Sequence, residues 1–528
     1  MMIKSFYNKI MLRFGPARSL NLFSGLRPFL FFLLIGLALY GRTIFFDFTY
    51  LDDNALIIDN YSYISDISKV NELFSSDVFF SVDKHYYRPI LNLSLMIDTF
   101  SFGPSLVAYH ITNIILHILV ASLVFLFFTK LGRSRGLAFF LALMFLVHPL
   151  MTQAVAWIPG RNDLLLGALV LAAWLMFLNF IERPRLGTFF GHLFFFWLAV
   201  LTKETAIFLP VLTGFYLIFI QPERLNRHDR WLLVTGSGLV IFFWFLMRGL
   251  ALGFRGDGLV ESMMSLVGNL PAVLIYIGKL ILPVNLSVFP ILADANLFYG
   301  AFALLLIAAA LIFSRHRRLK YIIFGSLWYA IFLLPSFIRL SGLPDFLEHR
   351  SYLPFVGFLI VIAETDWISG SIKQKKLRLS LAYIILVVLF LLSFNHSGVF
   401  QDRLTFWKSA VSTSPHSPLA HRNLGAMYYF EKRLTDALKS YETAIYLNSE
   451  EPMVRNNIGV IYLDQKKYSE AESMFKQELN INPAYDKALF NLGETYYFQG
   501  RDKEAVKLWE ATLSVNPGHK EALQRLLK

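Results

Sequence analysis

Long apolar runs, broken by short clusters of Lys and Arg, occupy the chain from about residue 28 to residue 400. Runs such as Phe29 to Phe46 and Ile111 to Phe128 approach the length at which a helix crosses a bilayer. The pattern predicts eleven spans, at 28–46, 106–128, 137–157, 164–181, 188–201, 206–220, 231–247, 300–313, 321–338, 352–363 and 379–394. The basic clusters set the orientation. Lys4, Lys9, Arg13, Arg18 and Arg27 stand without an acid before the first run. With this count the clusters at 130–135, 183–185, 224–230, 315–320 and 373–378 fall on the same face, the cytoplasmic one by the positive-inside rule. The segment 268–283 is apolar as well. Counting it as a span would put basic loops on the wrong side, so it reads as re-entrant or interfacial. The loop 47–104 is acidic and belongs to the opposite face.

A different period takes over after the last span. Asn423-Leu424-Gly425, Asn457-Ile458-Gly459 and Asn491-Leu492-Gly493 recur every 34 residues. Tyr428, Tyr462 and Tyr496 keep the same step, as do Ala437, Ala471 and Ala505, then Tyr441, Phe475 and Trp509. This is the tetratricopeptide pattern of paired helices, in which Gly and Ala allow close approach. The aromatics are expected to fill the gap to the next pair. Residues 403–413 read as a capping helix, with Trp407 over the first repeat. The expected fold is all-α: a polytopic membrane bundle followed by an α-solenoid. Its parts are a cytoplasmic N-terminus (1–27), a membrane domain (28–400) and a repeat domain (401–528).

Composition agrees and narrows the function. The chain is 56% hydrophobic, with 52 Phe and only 16% charged residues, which excludes a soluble enzyme of this length. The net charge of +12 lies largely in the cytoplasmic loops, so it signals topology and not nucleic acid. No Cys is present, which excludes disulfides, thiolate-bound zinc and thiol catalysis. His110 and His117 share a helix face without a third ligand and read as bundle histidines, so no metal site is expected. Asn60, Asn92 and Asn285 begin acceptor sequons, a tripeptide common by chance.

The ionisable residues left at the span ends are the informative ones, because charge at the membrane edge is costly. They are Asp52-Asp53, His85-Tyr86-Tyr87-Arg88, Arg161-Asn162-Asp163, Lys203-Glu204 and Glu348-His349-Arg350. All five clusters fall on the non-cytoplasmic face. Cations there suit a lipid phosphate, and a carboxylate suits removal of a proton from an acceptor hydroxyl.

Several of these stretches resemble the TMTC proteins, the transmembrane and tetratricopeptide-repeat O-mannosyltransferases. The likeness runs in order through Asp47-Phe48-Thr49-Tyr50-Leu51-Asp52-Asp53-Asn54-Ala55, Tyr87-Arg88-Pro89, Tyr109-His110 with Asn113 and His117, and His148-Pro149. It continues through Ala154-Val155-Ala156-Trp157 with Gly160-Arg161 and Asp163-Leu164-Leu165, then Lys203-Glu204-Thr205 and Tyr352-Leu353-Pro354. The resemblance implies a GT-C glycosyltransferase core of eleven spans, a polyprenyl-phosphate sugar donor and an acidic catalytic residue in the first outer loop. It carries Asp52 and Asp53 as that acidic pair without choosing between them. The chain departs from the family in its short array of three repeats, and in having His349 where Arg is expected, with Arg350 one place later.

The expected donor and substrate contacts are His85, Tyr87, Arg88, Arg161, Asp163, Lys203, Glu204, Glu348, His349 and Arg350. The expected reaction moves a hexose, mannose by the resemblance, to a Ser or Thr of an exported protein presented by the repeats. A lipid-linked sugar is the only cofactor-like requirement, and a divalent metal is left open. Two other readings stand beside it: a glycolipid or envelope-polysaccharide acceptor, or a non-catalytic scaffold that anchors the repeats. The membrane is expected to be a bacterial inner membrane with the site periplasmic, or the endoplasmic reticulum with the site lumenal.

Overall fold

Apolar runs flanked by polar ends become helices here because a backbone in hydrocarbon must satisfy its own hydrogen bonds. The computed structural model describes residues 23–80, 86–253, 259–338, 346–369 and 375–527, and among these there is no β-strand. Six helices are long and apolar enough to cross a bilayer: Arg27–Phe45, Leu106–Lys130, Ile158–Glu182, Arg227–Leu252, Leu319–Phe337 and Leu379–Phe400. Two more segments qualify only as bent pairs, Arg135–Val147 with Pro149–Ala156 (55°) and Met263–Asn269 with Ala272–Ile281 (43°). The first bend falls at His148-Pro149. The His148 imidazole accepts from the Leu150 amide at 3.3 Å and so caps the turn that follows the break. The second bend lies in the segment expected to be re-entrant.

The length criterion thus gives six spans, or eight with the bent pairs, where hydropathy alone suggested eleven. The remainder are shorter helices. Leu186–Thr202, Glu204–Ile220 and Phe298–Ile312 are apolar but have 10–17 residues. The expected span 352–363 is a nine-residue helix, Pro354–Ile362, with every residue buried. At 1.5 Å per residue it is about 14 Å long, roughly half of a bilayer core. The helix alone is short, but the chain around it runs from His349 beside Asp163 to Glu364, which pairs with Arg133 and Arg318 of the basic clusters. The partner of Pro354–Ile362 is Leu319–Leu333, approached so closely that a Cβ on Gly357 would lie 2.5 Å from the Gly325 carbonyl oxygen. Trp174, Trp328, Phe127 and Phe324 fill the same core as a connected aromatic group.

The loop 47–104, expected on the non-cytoplasmic face, is folded over its described residues, 47–80 and 86–104. It carries the helix Pro89–Phe102 and a small core in which Leu56, Ile57, Ile64, Leu73 and Val78 pack with Leu91, Leu95, Met96, Tyr109 and Ile158. Two of the three sequon asparagines are spent on this loop. Asn60 donates to the carbonyls of Ala55 (2.5 Å) and Phe79 (2.8 Å), and Asn92 donates to that of Val78 (3.0 Å).

The chain divides into two compact units, and the second is not only the C-terminal part. Ser287–Ala295 and Pro344–Leu347 group with Asp402–Lys528, although both were expected within the membrane domain. Phe289 packs on Trp407 (5.6 Å), and its carbonyl accepts from the Ser414 hydroxyl at 2.8 Å. Trp407 therefore also covers a returning strand of loop. The repeats follow as helix pairs: Pro418–Phe430 with Leu434–Leu447, Val454–Asp464 with Tyr468–Ile481, and Asp486–Phe498 with Asp502–Val515. Each recurring aromatic lies on the glycine of its own pair and also packs toward the next helix pair, Tyr441 with Val454, Ile458 and Ile461 and Phe475 with Leu492 and Tyr496. A Cβ would meet Tyr441 from Gly425 at 2.6 Å, Phe475 from Gly459 at 2.6 Å and Trp509 from Gly493 at 2.7 Å.

Gly357→Leu should lower the melting temperature of the detergent-solubilised chain, by about 1–3 kcal/mol of overpacking or more because backbone lies opposite. Gly238→Leu, in a helix with nothing within 4 Å of its Cβ position, should leave melting unchanged. Equal melting of the two variants would contradict the crossing.

Candidate active site

Ion pairs between sequence-distant helix ends assemble the site. The Arg88 guanidinium, just ahead of the helix Pro89–Phe102, donates to both oxygens of Glu204, at 2.7 and 3.2 Å. It also lies 4.5 Å over the Tyr86 ring. Lys203 donates to Asp163 at 2.8 Å, which joins the end of Leu186–Thr202 to the start of Arg161–Glu182. The other Asp163 oxygen lies 3.9 Å from His349 Nε2. With its amide oriented to suit both neighbours, Asn162 accepts from Arg88 at 3.2 Å. Arg350 donates to the Ser336 carbonyl at 2.7 Å and has no carboxylate partner among the described residues.

The two adjacent aspartates have different surroundings. Asp53 is 1% exposed, and its carboxylate accepts from the Thr49 amide at 2.9 Å and from the Thr49 hydroxyl. It closes the turn that passes through Tyr50 at φ 58°. Asp52 is half-buried and its carboxylate has no hydrogen bond among the described residues. Burial, then the neighbouring charge of Asp53, push the Asp52 carboxyl up to about 6, against the opposing pull of Arg88 and Arg350. Burial raises Asp53 too, while the bonds from Thr49 lower it.

Other expected contacts have structural partners. Arg161 is fully buried and saturated: it pairs with Asp98 at 2.7 Å and donates to Asn113 (2.9 Å), Ser94 (3.2 Å) and the Tyr109 carbonyl (2.8 Å). No face of its guanidinium is left for a phosphate, so the expected role is corrected to a structural one. Tyr87 is buried and its hydroxyl donates to the Phe74 carbonyl at 2.9 Å, which ties down the loop. Tyr86, not Tyr87, meets Arg88. Glu348 pairs with Lys279 at 2.6 Å and lies 3.5 Å from His396. That makes it an anchor for the turn carrying His349 and Arg350. His85 lies outside the described residues.

Lys279, His396 and Gln153 were not singled out from the sequence, and Trp157 entered only as part of a resemblance motif. A lysine inside an apolar helix was the one available signal. Gln153 accepts from the His349 amide at 3.1 Å, and Trp157 packs on the His349 ring at 5.3 Å. His117 is the bundle histidine expected, bonded to the Tyr352 hydroxyl (2.8 Å) and the Leu146 carbonyl (3.0 Å). Among the described residues no three His, Asp or Glu side chains are grouped to hold a metal ion.

Comparison with known proteins gives two kinds of likeness. The tetratricopeptide-repeat family model matches residues 462–528. The chain is similar to the human protein O-mannosyl-transferase TMTC1, 34% identical over 155 residues, which is 27% of this chain and 17% of that protein. Human TMTC2 is 28% identical over 243 residues, 42% of this chain and 29% of the relative. The longest of these matches is to the Caenorhabditis elegans protein O-mannosyl-transferase F38B6.6, 25% identical over 435 residues, 76% of this chain and 60% of the relative. The matches thus cover less than two thirds of each relative's length. Among solved structures, the tetratricopeptide protein YrrB aligns with 42% of this chain and 96% of its own at 15% identity; its TM-score of 0.22 adds nothing to the repeat assignment. The TMTC resemblance read from the motifs is therefore found over most of the chain, together with the repeats, in a multi-pass membrane protein.

Arg161→Gln should destabilise the protein by about 3–5 kcal/mol, because it strands Asp98 in the bundle. Arg350→Gln should leave thermal stability within about 0.5 kcal/mol, since only a carbonyl loses its partner. Melting curves of the two purified variants check the contrast.

Proposed function

We propose that the chain is a GT-C-type membrane glycosyltransferase that moves a hexose from a polyprenyl phosphate to an acceptor hydroxyl, with Asp52 as the general base. The observation that carries this reading is the half-buried Asp52 carboxylate, with no hydrogen-bond partner among the described residues, within the electrostatic reach of Arg88 and Arg350. Similarity to named O-mannosyl-transferases supports the reaction class.

In this reading the donor phosphate meets Arg350, with Arg88 and Lys203 nearby. The acceptor oxygen attacks the anomeric carbon as its proton passes to Asp52. The bond from that carbon to the phosphate oxygen breaks, and polyprenyl phosphate leaves with the electron pair. One base and one stabilised leaving group suffice for such an inverting displacement. Asp53 holds the loop and takes no proton. The protein acceptor, a Ser or Thr presented by the repeats, follows from the relatives' names and from the repeats' general use as peptide-binding surfaces. The site then faces the periplasm, or the lumen of the endoplasmic reticulum, in keeping with the basic loops on the opposite side.

Asp52→Asn should lower turnover of a lipid-linked hexose by about 10²–10⁴-fold while the chain still folds. Asp53→Asn should mainly lower the melting temperature. In the wild type, kcat/KM should fall as pH drops below about 6, where the Asp52 carboxylate becomes protonated and can no longer accept a proton. Full activity in Asp52→Asn would sink the assignment, and a flat acid limb would argue against it.

A further inference from the structure

Trp157 and His349 form a rigid pair with unmatched polar edges. Trp157 is 3% exposed and its indole Nε1 has no hydrogen-bond partner among the described residues. His349 is 8% exposed and its Nδ1 is likewise unmatched. Buried polar groups are nearly always paired, so an orphan beside a reaction site calls for a missing partner. Trp174 and Trp244 also have unmatched indole nitrogens, but they lie within the long apolar helices Arg161–Glu182 and Arg227–Leu252. Trp157 instead packs on a ring that approaches Asp163, which Lys203 holds from the other side.

Both rings are fixed from behind. Asn113 donates to the Trp157 carbonyl at 3.3 Å, and Gln153 accepts from the His349 amide at 3.1 Å. The chain turns tightly just after Trp157: a Cβ on Gly160 would lie 2.6 Å from the Ala154 carbonyl oxygen, so only glycine allows this turn. Burial, reinforced by Lys203, Arg350 and Arg88 and opposed by Asp163, holds the His349 imidazole down to about 3, so it is neutral at ordinary pH. A neutral imidazole offers one donor and one acceptor, and an indole offers one donor. Two aromatic faces with such edges match a sugar ring, which presents C–H faces and hydroxyls that donate and accept.

We propose that Trp157 and His349 form the subsite for the hexose ring of the donor, hydrogen-bonding its hydroxyls and setting which sugar is accepted. This rests on the glycosyl-transfer reading above.

The test uses the full chain in detergent or nanodiscs, with a polyprenyl-phosphate hexose as donor and sugar-free polyprenyl phosphate as competitor. Trp157→Phe keeps the ring and deletes the N–H. It should lower kcat/KM for the donor about 10–100-fold, while the inhibition constant of the sugar-free lipid stays within about twofold because the phosphate contacts are untouched. Among monodeoxy-hexose donors, at least one should lose no further rate in the variant. Unchanged kcat/KM would overturn the subsite, and so would a parallel weakening of the sugar-free lipid, which marks a merely structural role. Should Trp157→Phe fail to fold, His349→Phe asks the same question from the other ring. A wild-type chain that turns over no lipid-linked hexose would overturn the transfer reading and the subsite with it, whereas the two earlier outcomes remove the subsite alone.

Discussion

Charge at the membrane edge must be matched, and the two ion pairs Arg88–Glu204 and Lys203–Asp163 are how this chain matches it. They join the helix Pro89–Phe102 to the turn after Leu186–Thr202, and that turn to the start of Arg161–Glu182. Removing one partner from such a pair leaves an uncompensated charge, which costs far more than the pair itself contributes. The pairs therefore act as constraints on helix ends more than as sources of stability. They also decide what remains available. Asp52 and Arg350 are the charged groups of the cluster with no opposite charge bonded to them among the described residues.

The loop 47–104 completes this sorting. Its own small core and its asparagine bonds make it a folded layer. Within it Thr49 bonds one oxygen of the Asp53 carboxylate, Oδ2, and the same turn leaves Asp52 open. Two chemically identical neighbours thus acquire different roles from one hydrogen-bonded turn. Glu348 shows the same division on the other side of the site. It is spent on Lys279, and this steadies the turn from which His349 and Arg350 extend.

Much of this was legible in the sequence, for reasons that can be named. Hydropathy located the helical segments, since apolar length is what a bilayer selects. The 34-residue step located the repeats, because each Gly and Ala answers to one close helix contact. Hydropathy alone did not reveal that Pro354–Ile362 is short and buried on every side. Arg161 was misread because an arginine at a helix start looks the same whether it faces a cleft or a bundle. Its partners Asn113 and Ser94 lie 48 and 67 residues away. The choice between Asp52 and Asp53 was invisible until the turn through Tyr50 and Thr49 had a shape. Lys279 lay in a segment set aside as interfacial, so the partner of Glu348 was missed.

The central claim is that one open carboxylate and one open guanidinium, left over from a matched set, form the reacting centre. The most direct measurement is a cryo-EM structure of the chain with a polyprenyl-phosphate hexose bound. The account predicts the phosphate within hydrogen-bond reach of Arg350 and the anomeric carbon turned toward Asp52. A phosphate bound elsewhere in the bundle, with Asp52 facing neither sugar nor acceptor path, would contradict it.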